Sequence, residues 1–197
     1  MIARLWWRLV RFGFRLLYNE MAFTYDAVSW LVSLGQWRCW QRASLQFLPD
    51  PDNCLVLELA YGTGNLQIDL QQAQYQTVAF DLSPYMGRIA SPKLAKHNLE
   101  RRFVQGSAFQ LPFANESFNV IVSTFPTDFV VHPETLNEAN RILYDDGKLV
   151  VVLNGVLKGG GIVKVFLEWL YRITGQRDDE PHETHVNHYF EGYGFSV

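Results

Sequence analysis

Short apolar runs alternate with amphipathic stretches of helical period over residues 54–153. The apolar runs predict strands at 54–59, 77–81, 102–105, 118–123 and 148–153. The amphipathic stretches predict helices at 65–73, 84–97 and 133–143. Strands that alternate with helices form a mostly parallel sheet with helices on both faces, so the pattern predicts an α/β protein. Such sheets bind ligands at the carboxyl ends of their strands.

Residues 1–20 differ from this pattern, because arginines recur at helical spacing and no acidic residue precedes Glu20. The arginines are Arg4, Arg8, Arg11 and Arg15, and the apolar positions are Ile2, Leu5, Trp6, Leu9, Phe12 and Leu16. This basic amphipathic helix is typical of peripheral membrane contact, and it also suits packing on its own domain or on a dimer partner. The arginines interrupt every apolar run, which excludes a membrane-spanning helix, and the segment lacks the features of a signal peptide.

Two boundaries divide the chain. Residues 21–48 continue in a helical pattern up to Pro49-Asp50-Pro51-Asp52, so residues 1–48 are predicted to form a helical extension ahead of a domain at 49–197. After Asn154 the pattern loosens, and residues 155–181 are predicted to be a helical insertion. The last residues read as the opening of a strand, so we expect a final antiparallel strand to follow Val197.

Composition limits the function classes. A chain of 197 residues is expected to form one domain with a full core, and its net charge of −3 argues against a nucleic-acid binder. Cys39 and Cys54 are isolated, so neither a disulfide scaffold nor a metal site is predicted, and a cytoplasmic compartment is expected. His182, His185 and His188 could share one helix face, but ordinary solvated histidines are preferred over a metal site.

The segment Leu55–Asn65 is the one most suggestive of ligand binding. Its apolar run enters a turn that contains Gly62 and Gly64, after which helical spacing resumes. Such a turn lets backbone N–H groups and a helix N-terminus approach a ligand closely, although it can also serve only to connect a strand to a helix. Asp81 ends the next apolar run, where open α/β sheets hold the ribose hydroxyls of a nucleoside.

Glu58 narrows the choice of nucleoside. It lies within the strand before the turn, and Gln67 stands where dinucleotide sites carry their third glycine. An acid at that point suits a ligand with a positively charged end, such as an amino acid ammonium, better than it suits a pyrophosphate. The residues therefore favour S-adenosylmethionine over NAD as the cofactor.

Four segments together resemble class I S-adenosylmethionine-dependent methyltransferases. They read VLELAYGTGNL, VAFDLSPYM, FVQGSAFQLPF and ANRILYDDGKLVVV. The segment Tyr25–Trp40 is similar to the one ahead of the core in ubiquinone/menaquinone-biosynthesis C-methyltransferases, and bacterial phospholipid N-methyltransferases are similar to those enzymes. The resemblance covers roughly residues 21–197. It implies a Rossmann-like, mostly parallel seven-stranded sheet whose last strand is missing from this chain.

The resemblance also implies roles for individual residues. Glu58 would bind the methionine ammonium, Asp81 would accept hydrogen bonds from the ribose hydroxyls, and Tyr25 would close over the cofactor as part of a lid. The other implied contacts are the loop backbone at Ala60, Gly62 and Gly64, the adenine side at Leu82, Met86, Ser107 and Ala108, and Ser123 beside the methyl group.

Three positions depart from the pattern of these methyltransferases. Ala60 replaces the usual first glycine, a change that a backbone near φ < 0 would tolerate. Ser107 replaces the usual adenine-side aspartate and loses a charged acceptor, so weaker cofactor affinity is expected. Asn119 replaces the usual acid that opens the fourth strand. Together these departures keep a non-catalytic relative open as an alternative.

Methyl transfer from a sulfonium depends mainly on placing the acceptor and excluding water, and a general base serves only acceptors that lose a proton. Asp128 and His132, which follow the fourth strand, are the first candidates by place. The basic aromatic helix and the apolar insertion indicate a small hydrophobic or lipid-like acceptor. The segments STFPTDF and LNG do not match the quinone enzymes, so the acceptor stays open. A nicotinamide-dependent oxidoreductase is the remaining alternative.

Overall fold

A computed structural model of the protein describes residues 2–155 and 183–196. Within them the chain forms one five-stranded sheet in the order β3-β2-β1-β4-β5, with every neighbouring pair parallel. The strands are β1 Leu55–Leu59, β2 Gln76–Asp81, β3 Phe103–Gln105, β4 Phe118–Thr124 and β5 Leu143–Val152. The predicted α/β sheet is confirmed, and the further two strands that the resemblance implies stay a prediction.

Seven α-helices are described over the same residues. They are α1 Ile2–Tyr18, α2 Tyr25–Val32, α3 Trp37–Arg42, α4 Asn65–Gln72, α5 Pro84–Lys96, α6 Pro133–Ile142 and α7 Glu183–Glu191. Short 3-10 turns cover Ala22–Thr24, Ala43–Phe47 and Asp128–Val131. The predicted helices of the core agree with α4, α5 and α6 to within one residue at each end. The predicted insertion lies outside the described residues beyond Gly155.

The last strand is where the sequence prediction was wrong. The apolar pattern predicts a strand at 148–153, whereas β5 begins at Leu143, directly after α6. Leu143 pairs with Phe118 and Lys148 with Val120, so the register of β5 shifts between these pairs. Leu143 is buried in the core, which fixes the start of the strand, while the exposed acidic residues bulge out of the ladder.

Alternate residues of the central strands face opposite sides of the sheet, and each side packs on helices. On one side Val56 and Val120 pack with Leu66 and Leu70 of α4. The cluster on the other side includes Leu57, Leu59, Phe80, Ile121, Ala139 and Ile142. Because both faces of β1 are covered, the strand reads as a continuous apolar run, and its single acid is conspicuous.

The helical extension is attached to this core by side-chain contacts. Arg38 donates two hydrogen bonds to the Asp69 carboxylate of α4, of 3.1 Å from Nε and 2.9 Å from Nη2. Gln41 Nε2 donates to Thr124 Oγ1 across 3.1 Å at the end of β4. The extension therefore lies at the carboxyl edge of the sheet, where ligands of parallel sheets bind.

Candidate functional site

The candidate site lies where β1 and β2 end side by side. Leu59 pairs with Phe80, and one residue further on the backbone N–H of Ala60 still donates to the Phe80 carbonyl, 2.7 Å away. This last ladder bond holds the start of the loop 60–64 against β2. It brings the loop, Glu58 of β1 and Asp81 of β2 to one edge of the sheet.

The loop turns through left-handed backbone conformations. Ala60 has φ +62°, Gly62 +55° and Gly64 +80°. The expectation that Ala60 sits near φ < 0 is wrong, because the chain must leave β1 sharply while the Ala60 N–H still bonds to β2. At Gly64 a Cβ would lie 2.8 Å from the Ala90 Cβ of α5, whereas a Cβ at Gly62 would meet nothing within 4 Å. Of these two glycines, Gly64 is therefore the one that packs closely against another part of the protein, whereas Gly62 faces open space.

Asp81 holds this loop through its carboxylate. Oδ2 accepts a 2.9 Å hydrogen bond from the Gly62 N–H, and Oδ1 accepts a 2.8 Å bond from the Ser83 N–H. The residue is 9% exposed. Burial raises the pKa of Asp81, and the backbone hydrogen bonds from Ser83, Gly62 and Leu82 only partly reverse the rise. Each carboxylate oxygen keeps a second lone pair, so Asp81 can also accept from a ligand hydroxyl.

Glu58 is the other acid of the site and is 1% exposed. Its Oε2 has no hydrogen-bond partner among the described residues, and neither has the Nε2 of Gln67 on α4. Burial raises the pKa of Glu58 well above its usual range, the nearby Gln67 side chain opposes this rise, and the charges of Asp81 and Asp69 add to it. A buried acceptor without a partner, beside a second acid, suits a ligand that brings a cation.

The extension places two tyrosines near Asp81. The rings of Tyr18 and Tyr25 lie 5.8 Å apart, and Ser83 Oγ donates to the Tyr18 carbonyl across 2.7 Å. Burial above all raises the pKa of Tyr25 far beyond its usual range, and the charges around it, Asp81 included, add to this. Both phenols are therefore protonated donors at neutral pH, and the role of Tyr25 as a lid residue stays a prediction.

The residues expected on the adenine side are spread over different environments. The Leu82 side chain is 70% exposed, which suits a residue that covers a flat ligand. Met86 is buried in a core cluster with Ala90 and Tyr61. Ser107 is exposed, and its Oγ accepts a 3.3 Å bond from the Phe109 N–H, while Ala108 packs on the core. Contact of these four residues with adenine stays a prediction.

The residues expected near the methyl group are also separated. Ser123 is fully buried and its Oγ donates to the Leu59 carbonyl across 2.7 Å, so its hydroxyl joins the ends of β4 and β1. Asp128 and His132 are exposed on the loop after β4. The His132 ring lies 4.7 Å from the Phe109 ring, and its Nδ1 pairs with the Glu134 carboxylate. Catalytic roles for Asp128 and His132 stay a prediction.

The three C-terminal histidines are only partly described. His188 is exposed on α7 next to Glu191, while His182 and the His185 side chain lie outside the described residues. In the part of the chain that the structure describes, no three His, Cys, Asp or Glu side chains come together as a metal site.

Four further residues at this edge were not predicted as functional candidates, namely Asp26, Thr63, Asn65 and Lys93. Asp26 accepts hydrogen bonds from Thr63 and Asn65 of the loop and pairs with Lys93 of α5. Asp26 directly follows Tyr25, which is a predicted site residue, so this adjacency could have indicated Asp26 as a candidate. Nothing local marks the other three, because their partner is 37 to 67 residues away along the chain.

The chain was compared with known proteins. Residues 56–147 match the family described as "Methyltransferase domain". The demethylmenaquinone methyltransferase of Thermus thermophilus is 31% identical over 139 residues, which is 69% of this chain and 63% of that protein. The one of Beutenbergia cavernae is 35% identical over 136 residues, 68% of this chain and 55% of its own. The chain thus spans less than two thirds of these relatives.

The fold agrees with this match. The crystal structure of an S-adenosylmethionine-dependent methyltransferase from Aquifex aeolicus superimposes with a TM-score of 0.58 at 16% identity, covering 78% of each chain. At that identity the likeness shows the fold alone. Residues 56–147 thus match a methyltransferase-domain family, and the sheet, the loop and the paired acids agree with that match.

Proposed function

We propose that this chain transfers a methyl group from S-adenosylmethionine to a hydrophobic, quinone-like acceptor. The proposal rests on two acids at this edge of the sheet. Glu58 is buried, and its Oε2 has no hydrogen-bond partner among the described residues, while Asp81 accepts a hydrogen bond from the glycine loop. Two acids at the ends of adjacent parallel strands suit a ligand that joins a ribose to a positively charged amino acid. S-adenosylmethionine has that combination of groups.

The residues present fit this cofactor. Glu58 would accept hydrogen bonds from the ammonium, Asp81 would accept them from the ribose, and the open space at Gly62 would let the ligand approach the backbone. The bound cofactor supplies an activated methyl group on a sulfonium. The protein residues then have to hold the acceptor in line behind that methyl group and exclude water, and placement of this kind alone lowers a barrier by about 7–11 kcal/mol. Tyr25 is positioned for the second task.

The acceptor class is proposed from the relatives and from the loop after β4. The relatives cited above are named for methylating demethylmenaquinone. At this edge of the sheet Phe109 is exposed and lies against the His132 ring. The Nδ1 of His132 pairs with Glu134, so Nε2 is the nitrogen that can accept a proton from a quinol hydroxyl. An aromatic surface beside a carboxylate-oriented imidazole suits a flat, ionisable acceptor.

Binding assays test the cofactor part of the proposal. Isothermal calorimetry should show that the wild type binds S-adenosylmethionine, and labelled NADH should not be retained. Glu58→Gln and Asp81→Asn should each weaken binding at least tenfold, about 1.4 kcal/mol for the loss of a charged acceptor. Glu116→Gln, which changes an exposed acid in a turn before β4, serves as the control. Unchanged binding in both site variants would refute the cofactor site.

Transfer assays test the acceptor. The protein is incubated with methyl-labelled S-adenosylmethionine and either demethylmenaquinol or a total lipid extract, and labelled products are separated. Label in the quinone supports the proposal, and His132→Ala should lower kcat with little change in cofactor affinity. Label only in other lipids would contradict the quinone acceptor, and binding without any transfer would identify a non-catalytic relative.

We further propose that the acceptor is reached at an anionic membrane surface. Leu9 and Phe12 of α1 are each 56% exposed, so their own domain does not cover them. At about 100° per residue, Arg8, Arg11 and Arg15 fall within an arc of about 60°, and Phe12 follows about 40° beyond Arg8. Exposed aromatic and aliphatic side chains next to a row of arginines fit an interfacial helix on anionic lipid.

The charge distribution supports the same surface. The first 19 residues carry four arginines and no acid, which leaves 13 basic against 20 acidic residues in the remainder. An anionic bilayer would therefore attract α1 and repel the rest of the chain. Within residues 2–155 and 183–196, no helix is both long and apolar enough to cross a bilayer.

Vesicle flotation tests this surface without cofactor or acceptor. The wild type should float with phosphatidylcholine vesicles containing phosphatidylglycerol and stay behind with phosphatidylcholine alone. Replacing Arg8, Arg11 and Arg15 by Gln should lower the affinity about 100-fold, since each arginine contributes about 1 kcal/mol at such a surface. Lys96→Gln on the exposed side of α5 is the control. Sedimentation equilibrium tests the alternative that a second copy of the chain covers this face, because the protein would then have the mass of a dimer.

A further inference from the structure

The loop 60–64 is connected to the extension by one acidic side chain. Asp26 Oδ1 accepts a 2.5 Å hydrogen bond from Thr63 Oγ1 and a 3.1 Å bond from Asn65 Nδ2. Its Oδ2 pairs with the Lys93 ammonium of α5. Three separate parts of the chain, the second helix, the glycine loop and α5, therefore meet at one carboxylate.

The members of this cluster are also bonded to one another. Lys93 Nζ donates to Asn65 Oδ1 across 3.2 Å, and Asn65 Nδ2 reaches Thr63 Oγ1 at 3.3 Å. Thr63 is buried, whereas the side chains of Lys93 and Asp26 keep partial access to solvent. Burial pushes the pKa of Asp26 upward, but Lys93, Thr63 and Asn65 together outweigh it, so this pKa is lowered. The carboxylate is thus charged and bonded at neutral pH.

The position of Asp26 gives these contacts a consequence for the cofactor site. Tyr25 precedes it and packs on Tyr18 and on Trp37, whose ring lies 6.3 Å from that of Tyr25. Thr63 and Asn65 flank Gly64, the residue at which the loop enters α4. Moving Tyr25 away from the site would pull Asp26 out of this cluster. The lid residue and the loop it covers are therefore mechanically coupled.

We infer that Asp26 is a positioning residue that latches residues 22–33 onto the glycine loop, and that breaking its pair with Lys93 sets the rate at which the cofactor exchanges. The inference rests on the proposed cofactor site. A cofactor under the closed segment leaves only after the latch opens, so its observed dissociation rate is proportional to the open fraction. Weakening the latch then speeds dissociation, whereas it leaves the contacts of Glu58 and Asp81 in place.

The variants separate the latch from general loss of structure. Asp26→Asn keeps an oxygen acceptor for Thr63 but loses the charge pair, and Lys93→Met removes the pair from the other side. Lys93→Arg preserves the charge and should restore wild-type behaviour. Arg102→Met, which breaks the exposed ion pair of Arg102 with Glu100 remote from the lid, is the matched control.

Two measurements are made on each variant. In ligand-free protein, amide hydrogen exchange over residues 22–33 should quicken about five- to tenfold in Asp26→Asn and Lys93→Met, while the β1 amides keep their wild-type rate. The dissociation rate of S-adenosylmethionine, followed by stopped-flow tryptophan fluorescence, should rise by the same factor. The effect of the double variant should fall well short of the sum of the two single effects, because both substitutions remove the Asp26–Lys93 pair.

Several outcomes would overturn the inference. Unchanged exchange in both variants, equal effects of Arg102→Met, or additive effects in the double variant each show that the pair does not hold the segment. Faster exchange with an unchanged dissociation rate shows a structural contact without control of the cofactor. A wild type that binds no S-adenosylmethionine refutes the proposed function and the exchange role with it, while the hydrogen-exchange arm still reports whether Asp26 holds the segment.

Discussion

The carboxylate of Asp81 accepts a hydrogen bond from the backbone N–H of Gly62, 2.9 Å away, so the acid that ends β2 also fastens the loop that follows β1. Asp81→Ala would leave the N–H groups of Gly62 and Ser83 without this acceptor. We expect a loss of about 1–3 kcal/mol in the free energy of unfolding, measured by urea titration. Asp81→Asn keeps an acceptor oxygen and should lose less; equal losses would contradict this account of the loop.

The two glycines of the loop should respond differently to alanine. Gly64→Ala combines φ +80° with a 2.8 Å approach to the Ala90 Cβ, so we expect it to lower the free energy of unfolding by about 2–4 kcal/mol. Gly62→Ala meets no neighbour within 4 Å, and the reduced freedom of its unfolded chain offsets part of a backbone cost of about 1–2 kcal/mol, so it should lose only about 0.5–1 kcal/mol.

Gly62→Ala, the variant with the smaller loss of stability, should be the one that weakens cofactor binding. A methyl group at Gly62 projects into the open space that the ligand is proposed to use, so calorimetry on the folded Gly62→Ala protein should show weakened binding of S-adenosylmethionine. If Gly62→Ala binds as the wild type does, the ligand does not approach the loop backbone there.

Ala60 carries strain that glycine would remove. An alanine at φ +62° costs about 1–2 kcal/mol relative to the right-handed region, and glycine would remove this cost. The greater freedom of glycine in the unfolded chain opposes this stabilisation by about 0.5–1 kcal/mol. Ala60→Gly should therefore raise the free energy of unfolding by about 0.5–1 kcal/mol. Ala73→Gly, at φ −82°, is the control and should lower it. A destabilised Ala60→Gly would show that the strain is absent.

Ionisation of Glu58 should lower the free energy of unfolding as the pH rises. Its pKa in the folded protein lies well above the usual 4.5, so the unfolded chain loses this proton first. The contribution of Glu58 is therefore fully present below about pH 4.5 and is lost as the pH rises through the raised pKa. Asp81, whose pKa is also raised, acts with the same sign.

Glu58→Gln removes one of these two titrations. We expect the fall in unfolding free energy between pH 5 and pH 8 to be smaller in this variant than in the wild type, by urea titration at both values. Some fall should persist because Asp81 remains. Identical pH profiles would show that Glu58 is already ionised in the folded protein.

Ser107 gives a prediction of improved affinity. It is exposed and its hydroxyl already accepts from the Phe109 N–H, so an aspartate can replace it without disturbing the core. Ser107→Asp restores the charged acceptor that related methyltransferases carry, and S-adenosylmethionine should bind about five- to tenfold more tightly, as a charge-assisted hydrogen bond exceeds a neutral one. Ser107→Ala is the comparison and should change affinity little.

The local apolar pattern is sufficient to predict the strands and helices of the core and the positions of the two acids. Apolar runs bounded by turns gave β1 and β2 to within one residue, because a strand buried on both faces leaves a continuous apolar signature. Glu58 and Asp81 stood out against those runs. Their closeness followed from the rule that neighbouring parallel strands end at one edge of the sheet.

The way in which the loop and the extension are held depends on contacts between distant parts of the chain. The positive φ of Ala60 arises from a bond to β2, and β5 begins at Leu143 because that side chain is buried against distant strands. Asp26 bonds to Lys93 across 67 residues. The amino-terminal pattern leaves open whether α1 packs on its own domain, and in the structure Tyr18 packs against the core while Leu9 is exposed. Periodicity records which side of an element is apolar, whereas its partner depends on where the rest of the chain lies.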